Sequence, residues 1–201
     1  MKRSIVFGLI ALSLLLGCEK EAPPATRSTF SATDITGVPW GKDFTLTDPA
    51  GHVRTLKDFH GKVVALFFGY THCPDVCPTT LSELAIALRQ MGDEAKRVQV
   101  LFVTVDPERD TPALLAQYVP AFNPTFLGLY TDPKSLVKLA AEFKVFYHKN
   151  GGSDPKNYLI DHSAGTYVFD PHGQLRLLMP YASNPKNIAA DLHTLLNESS
   201  R

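Results

Sequence analysis

Val63-Val64-Ala65-Leu66-Phe67-Phe68-Gly69, followed by Tyr70-Thr71-His72-Cys73-Pro74-Asp75-Val76-Cys77-Pro78, is the stretch on which the fold of this 201-residue chain turns. The first seven residues make an uninterrupted run of strand length, the pattern of a central strand covered on both faces. Proline suits the first turn of a helix and disfavours the α conformation in the residue before it, so the spacing predicts a helix opening near Pro78. Leu81, Leu84, Ala85 and Leu88 then recur at helical spacing and give that helix a buried face. Two thiols therefore lie between the end of a central strand and the mouth of a helix, where open α/β sheets carry their sites.

Working outward, residues 43–47 and 52–56 flank the turn Asp48-Pro49-Ala50-Gly51 and read as an N-terminal hairpin. Residues 98–105 give a second interior strand, Thr111-Pro112 opens a helix to Val119, and residues 133–143 give a further helix. Asp170-Pro171-His172-Gly173 sits between two short apolar runs, 166–169 and 175–179, as a second hairpin, and Asn184-Pro185 begins a last helix reaching about Leu196. The order implies an α/β fold, a thioredoxin-like sandwich with a central mixed sheet flanked by helices and an N-terminal β-hairpin.

The chain opens with Lys2-Arg3, an apolar stretch and then Leu15-Leu16-Gly17-Cys18. Residues 1–17 read as an export signal, since the apolar stretch is shorter than the ~20 residues a membrane-spanning helix needs. The last four residues resemble a bacterial lipobox, which implies cleavage before Cys18 and a lipid on its sulfur. Residues 18–33, rich in Pro, Ala, Ser and Thr, read as a flexible tether. Residues 34–201 are then one domain, large enough for a single core without a disulfide scaffold. Twenty basic and twenty acidic residues cancel, with no basic stripe, so nucleic acid is not an expected partner.

With Cys18 consumed by lipid, Cys73 and Cys77 carry whatever thiol chemistry the domain performs. A lone Cys-x-x-x-Cys pair in an exported chain is redox-active or metal-binding rather than part of a many-bridged scaffold. Ionisation is expected to be easier for Cys77, placed at the helix N-terminus. Two metal-sulfur bonds of ~2.3 Å tolerate a wider sulfur separation than a disulfide does, so the three-residue spacer leans toward metal. Among seven histidines, His162 in Asp161-His162-Ser163 is the best placed third ligand, because it immediately precedes a predicted strand on the loop facing the dithiol in such folds. His72 adjoins Cys73, but neighbouring residues seldom point at one centre.

Residues 69–78, Val105-Asp106-Pro107-Glu108-Arg109-Asp110-Thr111-Pro112 and Asp161-His162-Ser163 resemble the three signature segments of the Sco/SenC family, membrane-tethered copper carriers for cytochrome c oxidase assembly. The resemblance covers residues 38–196 and implies that Cys73, Cys77 and His162 bind one copper ion per chain, Cu(I) or Cu(II). Two soft thiolates and an imidazole suit Cu(I) in a three-coordinate site, whereas structural zinc wants a fourth protein ligand. Asp161 is a candidate for that fourth position, and Asp106 for a hydrogen bond near the thiols.

The resemblance further implies a lipid-anchored protein on the periplasmic face of a bacterial membrane, the inner membrane being favoured. Its partner would be the oxidase subunit that bears the CuA site, with a periplasmic copper donor and a thiol reductant as further partners. The alternative is a thiol-disulfide oxidoreductase in which Cys73 and Cys77 form a redox dithiol that reduces the cysteines of the CuA site. Thioredoxin-like oxidoreductases usually place a cis-proline opposite the dithiol, and here no proline lies between Asn157 and Asp170. A peroxidase reading founders on Pro74, which stands three residues before Cys77 where peroxiredoxins carry a threonine.

Overall fold

The structure, a computed structural model, describes residues 29–151 and 157–198. In chain order its elements are β1 (Thr33–Asp34), β2 (Thr45–Thr47), β3 (Val53–Thr55), β4 (Val63–Gly69), α1 (Val76–Met91), β5 (Val98–Thr104) and α2 (Pro112–Tyr118). β6 (Leu127–Leu129), α3 (Pro133–Glu142), β7 (Tyr147–Asn150), β8 (Leu159–His162), β9 (Thr166–Phe169), β10 (Leu175–Met179) and α4 (Pro185–Glu198) follow. Six strands form one mixed sheet in the order β1-β10-β9-β4-β5-β6. β2 with β3 and β7 with β8 form separate two-stranded sheets.

Every residue of β4 is buried, as its continuous apolar run requires, and β4 lies between parallel β5 and antiparallel β9. Side chains alternate across such a strand, so Phe67 and Phe68 serve opposite layers. Phe67 meets Phe102 on the face that also receives Cys77 of α1 and, through Tyr118, α2. Phe68 meets Phe143, at the end of α3, and Tyr167 on the other face. α1 packs against α4. The thioredoxin-like sandwich read from the sequence is the fold observed.

Three differences matter for the site. α1 opens at Val76, after Asp75, rather than near Pro78. Proline is tolerated there because the first-turn N–H groups have no intrahelical acceptor to lose. β1, β6 and the β7–β8 hairpin escaped the sequence reading, and His162 is therefore the last residue of a strand rather than part of a loop.

The fold also takes in residues assigned to the tether. Phe30 and Ala32 are buried, and the buried Asp191 carboxylate of α4 accepts the backbone N–H groups of Ser31 at 2.9 Å and Ala32 at 2.8 Å. β1 is antiparallel to β10, β10 to β9 and β9 to β4, so β1 runs opposite to β4. The chain thus enters the domain at the end of the sheet where β4 finishes. The export signal, the lipobox and the tether up to residue 28 lie outside the described residues. Among the described residues no helix is long and apolar enough to cross a membrane.

Candidate metal centre

The site grows out of the end of β4. Val105 donates its N–H to the Gly69 carbonyl at 2.8 Å, and Cys73 donates to the Tyr70 carbonyl at 3.3 Å, which curls the chain back over the sheet. A Cβ on Gly69 would stand 2.7 Å from the Cys77 sulfur, so glycine is what lets that sulfur tuck against the strand. The Thr71 hydroxyl and N–H both donate to Asp110, whose fully buried carboxylate also accepts the Thr104 hydroxyl at 2.6 Å. Asp110 therefore pins the loop that precedes Cys73. The sequence reading missed it, because Asp110-Thr111-Pro112 looks like nothing more than a helix start.

Cys73, Cys77 and His162 converge. Their ligand atoms all lie within 4.8 Å of one another, and among the described residues they are the group of Cys, His, Asp and Glu side chains that could hold a metal ion. The Cys77 sulfur is 3.5 Å from His162 Nε2, and Cys77 N–H points at the Cys73 sulfur, also at 3.5 Å. His162 Nδ1 lies 2.9 Å from the Ser163 carbonyl. A carbonyl can only accept, so Nδ1 carries the proton and Nε2 turns its lone pair to the sulfurs, the arrangement expected of a metal-binding imidazole. Edge contacts with Phe67 and Tyr70 fix the ring's tilt. Cys77 is buried, while Cys73 and His162 are half-buried along a cleft that Tyr70, Pro74 and Leu159 also line.

The two thiols differ sharply in acidity. The hydrogen bond from the Cys77 thiol draws Cys73 down to about 3, against the opposing effect of burial, and the backbone N–H groups of Asp75 and Cys77 add to it. Cys77 moves the other way, because ionisation would forfeit that bond to Cys73 and because the sulfur is buried. The expectation that Cys77 ionises more easily is thus reversed, because Cys77 donates to Cys73 and is the more deeply buried sulfur, and the N–H groups at the start of α1 also face Cys73. In the reduced, metal-free protein, alkylation of Cys73 by iodoacetamide should proceed at a nearly constant rate from pH 5 to 8. An ordinary thiol, with a pKa of ~8.5, would gain about tenfold per unit over that range, and such a rise here would show that Cys73 is not held as thiolate.

The remaining candidates lie elsewhere. Asp106 is buried beside the site, but its hydrogen bonds go to Arg109 and to the Tyr158 hydroxyl at 2.7 Å rather than to either sulfur. Asp161 also lines the cleft, but its carboxylate accepts from Asn150 at 3.1 Å. It is not in the cluster of converging ligand atoms. His72 is half-exposed and turns to Thr71 and Asp110, at 3.1 and 3.7 Å. His52 pairs with Asp48 and His193 with Glu94, while the His60 and His172 rings meet before β4 and in the β9–β10 turn. Cys18 lies outside the described residues.

Comparison with known proteins gives a consistent picture. The chain matches the SCO1/SenC family over residues 32–197. It is 34% identical over 186 residues to the SCO2-like protein of Rickettsia felis, covering 92% of this chain and 90% of that one. Among solved structures, ScoI of Bradyrhizobium japonicum with copper bound is 41% identical with a TM-score of 0.71, covering 78% of this chain and 99% of that one. The solution structure of apo Sco1 from Thermus thermophilus is 44% identical with a TM-score of 0.74, covering 83% and 96%.

Proposed function

The chain belongs to the SCO1/SenC family, and from that premise we propose that it is a membrane-tethered periplasmic carrier that binds one copper ion through Cys73, Cys77 and His162. It delivers that ion to the CuA site during cytochrome c oxidase assembly. The single observation that carries the reading is the His162 tautomer, which presents an unprotonated Nε2 to the Cys77 sulfur across 3.5 Å. Two sulfurs and one imidazole suit Cu(I), and a three-ligand site leaves the ion open to an incoming ligand. Among the described residues no fourth Cys, His, Asp or Glu joins the cluster, which argues against structural zinc.

Delivery is then ligand exchange: a donor group of the acceptor bonds to copper as one of the three bonds in the carrier breaks. The lowered pKa of Cys73 keeps one sulfur ionised without a preceding deprotonation. A second reading, in which the pair passes two electrons to a disulfide of the acceptor and is itself oxidised to a disulfide, is favoured by the same half-buried thiolate.

His162→Ala separates the two readings. Cu(I) affinity, measured by competition with a chromogenic chelator, should fall at least about tenfold, or ~1.4 kcal/mol. The Cys73–Cys77 disulfide should still form and be reduced. An unchanged affinity would remove His162 from the ligand set and leave the reductant reading in possession. The tether is tested separately: the intact mass of the membrane-extracted protein should correspond to residues 18–201 with acyl chains added at Cys18, and a mass without that addition would refute a lipid on that sulfur.

A further inference from the structure

The two sulfurs and the imidazole belong to different bodies. Cys73 and Cys77 follow β4, the centre of the main sheet, whereas His162 ends the β7–β8 hairpin, a two-stranded sheet not joined to the main one by strand pairing. No ladder joins the hairpin to the main sheet, but the chain enters β9 four residues after His162, where Thr166 pairs with Phe67 of β4. Side chains fix what that short link leaves free.

Arg109 is the principal tie. It sits in the loop leaving β5, a loop held to the end of β4 by the bond between Val105 and Gly69. Its Nε donates to the buried Asp106 carboxylate, and its Nη1 donates to the Tyr158 backbone carbonyl at 2.9 Å. Its guanidinium lies over the Tyr158 ring, 3.5 Å from the centroid. The Tyr158 hydroxyl closes the loop by donating to the other oxygen of Asp106 at 2.7 Å. Only 12% of the Arg109 side chain is exposed, so the stacking and the charged hydrogen bonds act where water screens them least. Tyr158 stands four residues before His162, at the foot of β8.

Other ties are fewer. Ile160 N–H donates to the Tyr70 hydroxyl at 3.1 Å, and Phe146 and Ser163 exchange two bonds that close the hairpin upon itself. The Lys149–Glu108 ion pair is exposed on both sides and contributes little.

We propose that Arg109 and Tyr158 form a latch: positioning residues that press the His162 hairpin onto the sulfurs while copper is held, and whose opening withdraws the imidazole so that copper leaves. The inference rests on the copper-carrier reading and deepens it. When the latch opens, the bond between copper and Nε2 breaks, the ion stays on two sulfurs, and a ligand of the acceptor takes the freed position. No electron moves in this step.

The test uses Tyr158→Phe and Arg109→Gln, each made alone and in a His162→Ala background. Each should weaken Cu(I) binding by about tenfold, the low end of what outer partners of a metal-binding imidazole contribute, and should speed copper loss to a chromogenic chelator. Neither should weaken binding further once His162 is alanine, because a latch can act only through the ring it positions. The equilibrium of the Cys73–Cys77 disulfide with glutathione should match that of the parent protein. Equal losses in both backgrounds, a shifted disulfide equilibrium, or undiminished affinity in Tyr158→Phe would each overturn the latch. Should Arg109→Gln fail to fold, Tyr158→Phe keeps the stacked ring, loses one hydroxyl and decides the matter alone. A parent protein that takes up no copper at all would overturn the carrier reading itself, a result distinct from any of these.

Discussion

Cys77→Ser is expected to lower copper affinity by more than ~100-fold, beyond the 10- to 100-fold that loss of an outer partner of a metal ligand brings. The substitution exchanges a soft sulfur for a hard oxygen at nearly constant volume, so packing against Gly69 and the sheet survives while the ligand is lost. What remains is one sulfur and one imidazole, too few to keep Cu(I) against a competing chelator. Cys73 suffers as well, since the hydrogen bond from Cys77 is the largest influence holding it as thiolate. The buried serine hydroxyl has His162 Nε2 within reach as an acceptor, so the urea midpoint should barely move. Affinity within tenfold of the parent protein would mean that Cys77 does not touch the ion.

Gly69→Ala should damage both the fold and the site. The backbone at this position is ordinary β-strand, and the obstacle is purely steric. The new methyl would lie 2.7 Å from the Cys77 sulfur and 2.9 Å from ring carbons of both Phe102 and Phe67. All three neighbours are fully buried in the core, so none can swing aside into solvent. Overpacking of this kind costs about 1–3 kcal/mol. With a urea slope of ~1–3 kcal/mol/M, the midpoint should drop by about 1 M, within a threefold margin either way. Because relief requires the sulfur to move, copper affinity should fall in parallel. An unchanged urea midpoint would show that α1 shifts at no cost and that the close approach of strand and sulfur is not needed.

Long apolar runs with clear punctuation carried most of the architecture. β4 and β5 announce themselves by continuous burial, α3 by Asp132-Pro133, and the β9–β10 hairpin by Asp170-Pro171-His172-Gly173. β1 and β6, two and three residues long, are too short to show a period, and Gly128 interrupts the second of them. The β7–β8 hairpin was hidden for a different reason. Its strands lie largely in solvent, so Lys149, Asn150 and Asp161 replace the apolar alternation by which a half-buried strand is known.

The convergence of Cys73, Cys77 and His162 was legible because the thiols are rare and the neighbours of all three residues are distinctive. The acidity order of the thiols was not, since it depends on which sulfur donates to the other and which is buried, and that follows from the turn at Pro74 and Asp75. The partners of Asp106 were equally out of reach, because Tyr158 lies 52 positions away in the chain.

The direction of β1 carries a mechanical corollary. Any leash fastened ahead of Phe30 meets the domain at Ser31 and Ala32, where Asp191 grips the backbone, and so tugs on the rim that bears the sulfurs. β4 is seven residues long, which puts the far rim, with His60 and His172, about 20 Å deeper. A domain moored in this way swings with its copper mouth toward the mooring, and a recipient rooted nearby would find the ion on the side it can reach.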